Sequence, residues 1–364
     1  MSLAHHLFLI AVALLTTVAV TPLVRRYSVR AGLVDHGGGR KVHTLAISRL
    51  GGVAILAGIA VAIAAQLAGE TLHLWTSLSS WTPVLTVAGP TFVGTVGGLA
   101  VIFLVGLVDD LRGLGPGLKF AGQLLAASIP IAAGLRVEFV GNPFTGGLMQ
   151  LGLLAYPVTA LWIVGFANVI NLIDGLDGLA AGISAIAAAS FLLLAVQMNQ
   201  LVAAVLAAAV IGACVGFLFY NFNPASIIMG DSGALLLGFA LACMSLQGVM
   251  KSVAAITLVV PLLVIGVPVF DTASAIIRRW RHGRPIQEAD NGHIHHRLLH
   301  RGFSQRQTVL IIYAWSIALA AGGYAMRLVP VLWKVIVFAV LAVLSGLMAT
   351  WLGLFAQARN HGDQ

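Results

Sequence analysis

Between Gly178 and Gly230 the chain carries no Asp, Glu, Lys or Arg, and the stretch is broken only by the polar step Gln197-Met198-Asn199-Gln200. An apolar run of about 20 residues on each side of a short polar break fits a helical hairpin that crosses the ~30 Å hydrocarbon layer twice. A soluble domain carries roughly 25% charged residues. This chain of 364 residues carries 9%, with 59% hydrophobic. A soluble enzyme, a disordered tail and a secreted disulfide scaffold are excluded, which leaves an all-α, polytopic integral membrane protein. The two cysteines, Cys214 and Cys243, lie inside apolar runs, where a thiol packs as a small hydrophobe and indicates neither a disulfide nor a metal.

Eleven apolar runs are long enough to span: 5–24, 51–68, 84–108, 118–135, 150–168, 179–197, 200–220, 232–249, 252–277, 307–326 and 330–356. The first run has no cation before it and Arg25-Arg26 after it. This arrangement argues against a cleaved signal peptide and for an N-terminus outside. Alternating the loops then puts 16 of the 20 basic residues on the cytoplasmic side, leaving Arg136, Lys251, Arg327 and Lys334 outside, and it puts the C-terminus inside. The net charge of +8 is therefore read as positive-inside loops and not as a nucleic-acid surface. Ten of the 12 acidic residues fall on the same side, all but Glu70 and Glu138. The positive-inside rule does not govern acids, so their concentration needs another cause. The chain reads as one polytopic domain over 1–364, with cytoplasmic loops near 25–50, 109–119, 169–178, 221–233 and 278–306.

Four clusters carry chemistry. Asp109-Asp110 ends an apolar run, just before Arg112, Gly113, Gly115, Gly117 and Lys119. A carboxylate at a helix centre costs ~2.5–3.5 kcal/mol on insertion scales, so an adjacent pair at a helix end faces water, a cation or each other. Phe120 follows Lys119, so the glycines do not form a nucleotide-triphosphatase loop. In the second cluster Asn168 precedes Asn171, Asp174 and Asp177, and the last three recur at every third residue on one side of a helical turn. Hard oxygens of this kind suit Mg²⁺, which takes one or two carboxylates plus water and substrate phosphate. The third holds Asn221, Asn223-Pro224 and Met229-Gly230-Asp231; Asp231 serves either as the cap of the next span or as a metal ligand. The fourth is Asn291-Gly292-His293-Ile294-His295-His296-Arg297, with His300 and Arg301 beyond it. Zinc is weighed there, but no Cys accompanies the histidines and two arginines repel a cation; a donor-rich face for an anionic sugar nucleotide fits better. Asp271, two helical turns before Arg278, is either a structural partner or part of the cavity.

In this order and on one membrane side, the clusters resemble those of the polyprenyl-phosphate N-acetylhexosamine-1-phosphate transferases, glycosyltransferase family 4. Gly39-Arg40-Lys41-Val42-His43-Thr44 with Ser48-Arg49-Leu50-Gly51-Gly52 resembles that family's first cytoplasmic loop. His293-Ile294-His295-His296-Arg297 is similar to the loop of the branch that uses UDP-N-acetylglucosamine, in contrast to the branch that uses UDP-N-acetylmuramoyl-pentapeptide. The resemblance implies transfer of N-acetylglucosamine 1-phosphate to a membrane polyprenyl phosphate with release of UMP, as the first membrane step of a cell-envelope polysaccharide pathway. It implies catalytic roles for Asp109, Asp110, Asp174 and Asp177, and metal ligation by Asn171 and Asp231. Substrate contacts fall to Lys119, Asn168, Asn223, His293, His295, His296 and Arg297. The implied cofactor is Mg²⁺, with Mn²⁺ as a substitute. The implied partners are UDP-N-acetylglucosamine, a polyprenyl phosphate lipid, the bacterial cytoplasmic membrane and a second copy in a homodimer, with no nucleic acid. A secondary transporter, the reading from another class, needs inverted repeats and charges near mid-membrane; here the acids sit at helix ends.

The basic asymmetry generates a direct test. Single cysteines replacing Ser304 and Ser79 should be labelled by an impermeant reagent from the cytoplasmic and the external side respectively, and labelling of Ser79→Cys only from the cytoplasm reverses the topology.

Overall fold

The computed structural model describes residues 3–35, 47–72, 84–141, 148–249, 259–281 and 293–352. The segment Gly39–Thr44 and Asn291 of the sequence motifs lie outside the described residues. The chain divides into two compact units, 1–258 and 259–364.

Unit 1 holds eight α-helices: α1 (Leu3–Arg30), α2 (Gly51–Thr71), α3 (Val84–Arg112), α4 (Pro116–Ala132), α5 (Ala155–Ile173), α6 (Leu179–Gln197), α7 (Leu201–Asn221) and α8 (Gly230–Val249). The hairpin expected around Gln197 to Gln200 is present as α6 and α7, turned by Asn199 at positive φ. Two short antiparallel ribbons complete the unit, Val34–Asp35 with Ile47–Ser48 and Phe139–Gly141 with Leu148–Gln150. Unit 2 holds α9 (Val259–Val264), α10 (Gly266–Arg281), α11 (Ile294–His300), α12 (Gln305–Leu328) and α13 (Val331–Leu352).

Among the described residues nine helices are long and apolar enough to cross a membrane: α1, α2, α3 from Gly89, α5 with its leading turn, α6, α7, α8, α12 and α13. Two of the eleven expected runs are not among them. The run at 118–135 is α4, which has 17 residues, and the run at 252–277 is described only from Val259, as the short α9 and the start of α10.

Helix α7 forms the centre of unit 1, packed on α1, α2, α6 and α8. Its alanines Ala203, Ala204, Ala207, Ala208 and Ala209 are all buried, and such small side chains let helix backbones close up where lipid supplies no hydrophobic drive for association. Large apolar side chains such as Leu104, Leu125, Leu161 and Phe219 point out of the bundle. In water such exposure would be costly, but against acyl chains it costs nothing.

The polar residues gather where helices end. The ends of α3, α5 and α7 meet the starts of α2, α4 and α8, and backbone groups stitch this end together. Ile228 N–H donates to Ser48 O (2.9 Å), while Gly51 and Gly52 N–H donate to Ile228 O (3.1 Å) and Met229 O (2.8 Å). The first N–H groups of a helix have no partner within it; those of α2 are satisfied by the loop that leads into α8.

Candidate active site

Lys119, on the first turns of α4, reaches three elements at once. Its Nζ lies 2.8 Å from Asp109 Oδ2, 2.6 Å from Asp231 Oδ2 and 3.4 Å from Asn171 Oδ1. Asn171 Nδ2 in turn donates to Asp231 Oδ1 at 2.7 Å. Residues from α3, α4, α5 and α8 therefore converge on one ammonium group. Asp109 is held from its other side by the Leu114 N–H, 2.6 Å from Oδ1. The Asp109 side chain is 9% exposed and that of Asp231 35%, so Asp231 is the carboxylate open to a ligand.

Asp110 has a different task. Its Oδ1 accepts the Asp231 N–H (2.7 Å) and its Oδ2 accepts the Ser232 N–H (2.9 Å). Both carboxylate oxygens thus cap the N-terminus of α8, where unpaired N–H groups and the helix dipole favour an anion. Two glycines make this approach possible. A Cβ on Gly106 would lie 2.5 Å from Ser232 Cα, and one on Gly230 would lie 2.7 Å from Asp110 Oδ2. Gly230 also has φ +72°, a conformation that L side chains rarely adopt. The cap that the sequence offered to Asp231 is supplied by Asp110.

Asp177, 3% exposed, accepts hydrogen bonds from Asn223 Nδ2 (3.0 Å) and from the Ala225 N–H (3.0 Å). It anchors the loop between α7 and α8. Asn221 supports the same loop, accepting the Gly178 N–H (3.0 Å) and donating to Ile227 O (2.9 Å). Asn168 and Gln123 form a reciprocal amide pair, with Asn168 Nδ2 2.7 Å from Gln123 Oε1 and Gln123 Nε2 3.2 Å from Asn168 Oδ1. This pair ties α4 to α5 one turn away from Lys119 and Asn171.

Gln123 is not among the residues singled out in the sequence, and Asn221 is placed in the third cluster without a role of its own. The signal for Gln123 is a lone amide four residues after Lys119 in an apolar helix.

Asp174, half-buried after the end of α5, has no hydrogen-bond donor on its carboxylate among the described residues. Burial first, and then the like charges of Asp231, Asp110 and Asp177, push its pKa up to about 8.

Within unit 2, Asp271 of α10 pairs with His293 Nδ1 (3.0 Å) and accepts the Ile294 N–H (2.8 Å) at the start of α11. The rings of His293 and His295 stack with centroids 5.7 Å apart, and His295 meets His296 at 4.3 Å. Burial, ahead of its histidine neighbours, lowers the His295 pKa to about 3, so this ring is neutral at physiological pH. Arg297 lies one turn further along α11, half-buried.

The donor set of unit 1 suits a hard cation. An ammonium group already rests against the oxygens of Asp231, Asn171 and Asp109, and these are two carboxylates and an amide carbonyl. No group of three or more His, Cys, Asp or Glu capable of holding a metal occurs among the described residues. Mg²⁺, held by one or two carboxylates with substrate phosphate and water completing its shell, needs no such group.

Residues 92–249 match glycosyl transferase family 4. The chain is 38% identical to the probable undecaprenyl-phosphate N-acetylglucosaminyl 1-phosphate transferase of Bacillus subtilis (strain 168), over 94% of this chain and 91% of the relative. It is 36% identical to the decaprenyl-phosphate N-acetylglucosaminephosphotransferase of Mycobacterium tuberculosis (strain ATCC 25618 / H37Rv), over 85% and 80%. It is 33% identical to the phospho-N-acetylmuramoyl-pentapeptide-transferase of Moorella thermoacetica, over 75% and 82%.

A carboxyl whose pKa is raised on folding holds its proton more tightly folded than unfolded. Its contribution to stability is full below the ordinary carboxyl value and is lost as pH rises towards about 8 for Asp174. In metal-free buffer, Asp174→Asn should flatten the decline of the unfolding temperature between about pH 5 and about pH 8, as read by thermal unfolding in detergent; an unchanged pH profile means that Asp174 does not carry this charge strain.

Proposed function

The chain belongs to glycosyl transferase family 4, and we propose that it transfers N-acetylglucosamine 1-phosphate from UDP-N-acetylglucosamine to a membrane polyprenyl phosphate such as undecaprenyl phosphate, releasing UMP. The observation that carries this reading is the convergence of Asp109, Lys119, Asn171 and Asp231 from four helices at one end of the unit 1 bundle. Phosphoryl transfer between two anionic substrates is governed by positioning and charge neutralisation. A cluster with one lysine, open carboxylate oxygens and lipid-facing walls supplies both beside a membrane.

Asp231 and the Asn171 carbonyl would hold Mg²⁺, with Mn²⁺ as a substitute. The bound ion would neutralise the diphosphate and polarise the phosphorus under attack. Lys119 is placed to meet the lipid phosphate, and Asp109 orients it. Asp110 fixes Asp231 by capping α8. Asp177, together with Asn221 and Asn223, holds the loop that enters α8, and Asp174, which keeps its proton to about pH 8 beside the other carboxylates, would release it when a cation binds among them. The attacking oxygen of the lipid phosphate forms the new P–O bond at the β-phosphorus, the bond to the UMP oxygen breaks, and the sugar–phosphate bond is untouched.

His293, His296 and Arg297 are the donors assigned to the sugar nucleotide; His295, neutral and buried, packs between its neighbouring rings. Preference for the N-acetylglucosamine donor over the N-acetylmuramoyl-pentapeptide donor is supported by the names of the relatives at 38% and 36% identity. The basic asymmetry supports an active face on the cytoplasmic side of a bacterial membrane.

With UDP-N-acetylglucosamine labelled in the β-phosphate, label should enter the chloroform-soluble lipid, unlabelled UMP should remain in water, and added UMP should discharge the lipid. Release of labelled UDP refutes phosphoryl transfer, and uptake into vesicles without labelled lipid indicates transport.

Chelation should abolish turnover. Asp231→Asn should lower turnover by on the order of 100-fold while the protein stays folded, because a charge that stabilises the reacting phosphates is lost. Wild-type turnover of this variant at low Mg²⁺ would leave Asp231 as a structural residue.

A further inference from the structure

Asp271 is a buried acidic residue that the reaction above does not employ, and its surroundings are specific. It lies on α10 among buried apolar neighbours including Val267 and Ala275 and is itself 2% exposed. An ionised carboxylate in such a place needs donors on both oxygens. One donor is the Ile294 N–H on Oδ1 and the other is His293 Nδ1 on Oδ2.

An ionised carboxylate can only accept, so the proton on this contact belongs to His293 Nδ1. The second ring nitrogen, Nε2, is then the one able to act on a ligand, as a donor in the imidazolium or as an acceptor in the neutral ring. The His293 side chain is 9% exposed against 3% for that of Asp271, so the imidazole is the less enclosed of the two groups. His295 stacks parallel to this ring, at an interplanar angle of 4°, and restricts its rotation.

We propose that Asp271 is a positioning residue that keeps His293 protonated at Nδ1, so that His293 presents its Nε2 to a phosphate oxygen of the sugar nucleotide. The proposal rests on the reading of the histidine segment as the sugar-nucleotide contact. The carboxylate acts through the imidazole: it orients the ring and selects the tautomer.

Asp271→Asn tests this with little change of shape. The amide offers one acceptor where two donors wait, so its Nδ2 must face either Ile294 N–H or the imidazole. Keeping the bond to Ile294 turns Nδ2 towards His293 and forces Nδ1 to accept, which moves the ring proton to Nε2. In protein labelled with ¹⁵N-histidine, the His293 resonances, assigned by their loss in His293→Gln, should report a protonated Nδ1 in the wild type and a deprotonated Nδ1 in Asp271→Asn. Turnover with UDP-N-acetylglucosamine should fall by about 100-fold or more in Asp271→Asn, with a smaller change in KM. His293→Gln should fall similarly, and the double variant should lose no more than the worse single variant, because the two residues act as one unit.

An unprotonated Nδ1 in the wild type overturns the proposal. So does a turnover loss of less than about threefold in an Asp271→Asn protein with a lowered unfolding temperature, the behaviour of a carboxylate that only caps α11. Multiplicative losses in the double variant overturn it as well. If Asp271→Asn does not fold, the wild-type tautomer and the His293→Gln kinetics decide. Failure of the functional reading is distinguishable: it appears as absence of labelled lipid in the wild type, whereas the tautomer signal is read without any substrate.

Discussion

The grip of Asp110 on the first turn of α8 is the contact on which the candidate site depends. The first N–H groups of a helix have no partner within it, and each one left unsatisfied against packed neighbours is costly. Asp110 satisfies two of them with one carboxylate and places a negative charge at the positive end of the helix dipole. The same contact fixes the backbone of Asp231. The direction in which the Asp231 carboxylate points is thereby set by α3, and the close approach of α3 to α8 is set by the missing side chains of Gly106 and Gly230.

Five carboxylates gather at this end of unit 1, and their partners divide the work. Asp109 and Asp231 share one ammonium group, Asp110 takes two backbone donors, and Asp177 takes an amide and a backbone donor. Asp174 faces like charges without a donor of its own, and its raised pKa is the result. Lys119 is shared between two of these acids, Asp109 and Asp231, so the two carboxylates crowd one ammonium group. Such an arrangement is unfavourable in isolation and favourable once a divalent cation and a diphosphate arrive together, because the charges then alternate.

Two kinds of packing keep this chemistry in place. Close contact among the small residues of α7 and its neighbours gives unit 1 a rigid frame without relying on hydrophobic association. Amide pairs finish the positioning: Gln123 with Asn168 sets α4 against α5, and Asn221 holds the turn before α6 to the loop before α8. In unit 2 a buried side-chain pair recurs, Asp271 with His293, in contact at 3.0 Å.

The membrane class, the α6–α7 hairpin and the residues that form the acidic cluster were legible in the sequence, because each rests on local properties. Apolar run length decides what spans, and acids at the ends of uncharged helices are too costly to be there without a use. The role of each carboxylate was not legible. Asp110 and Asp231 are 121 residues apart, and nothing near Asp231 in sequence reveals that its capping role is filled by a residue from α3. Likewise, Asp271 reads as ambiguous in sequence because its partner lies 22 residues away, beyond the end of α10. Helix packing alone determines which oxygen meets which donor, since a hydrogen bond needs its atoms within about 3 Å, and sequence spacing constrains that distance only within a turn or two of one helix.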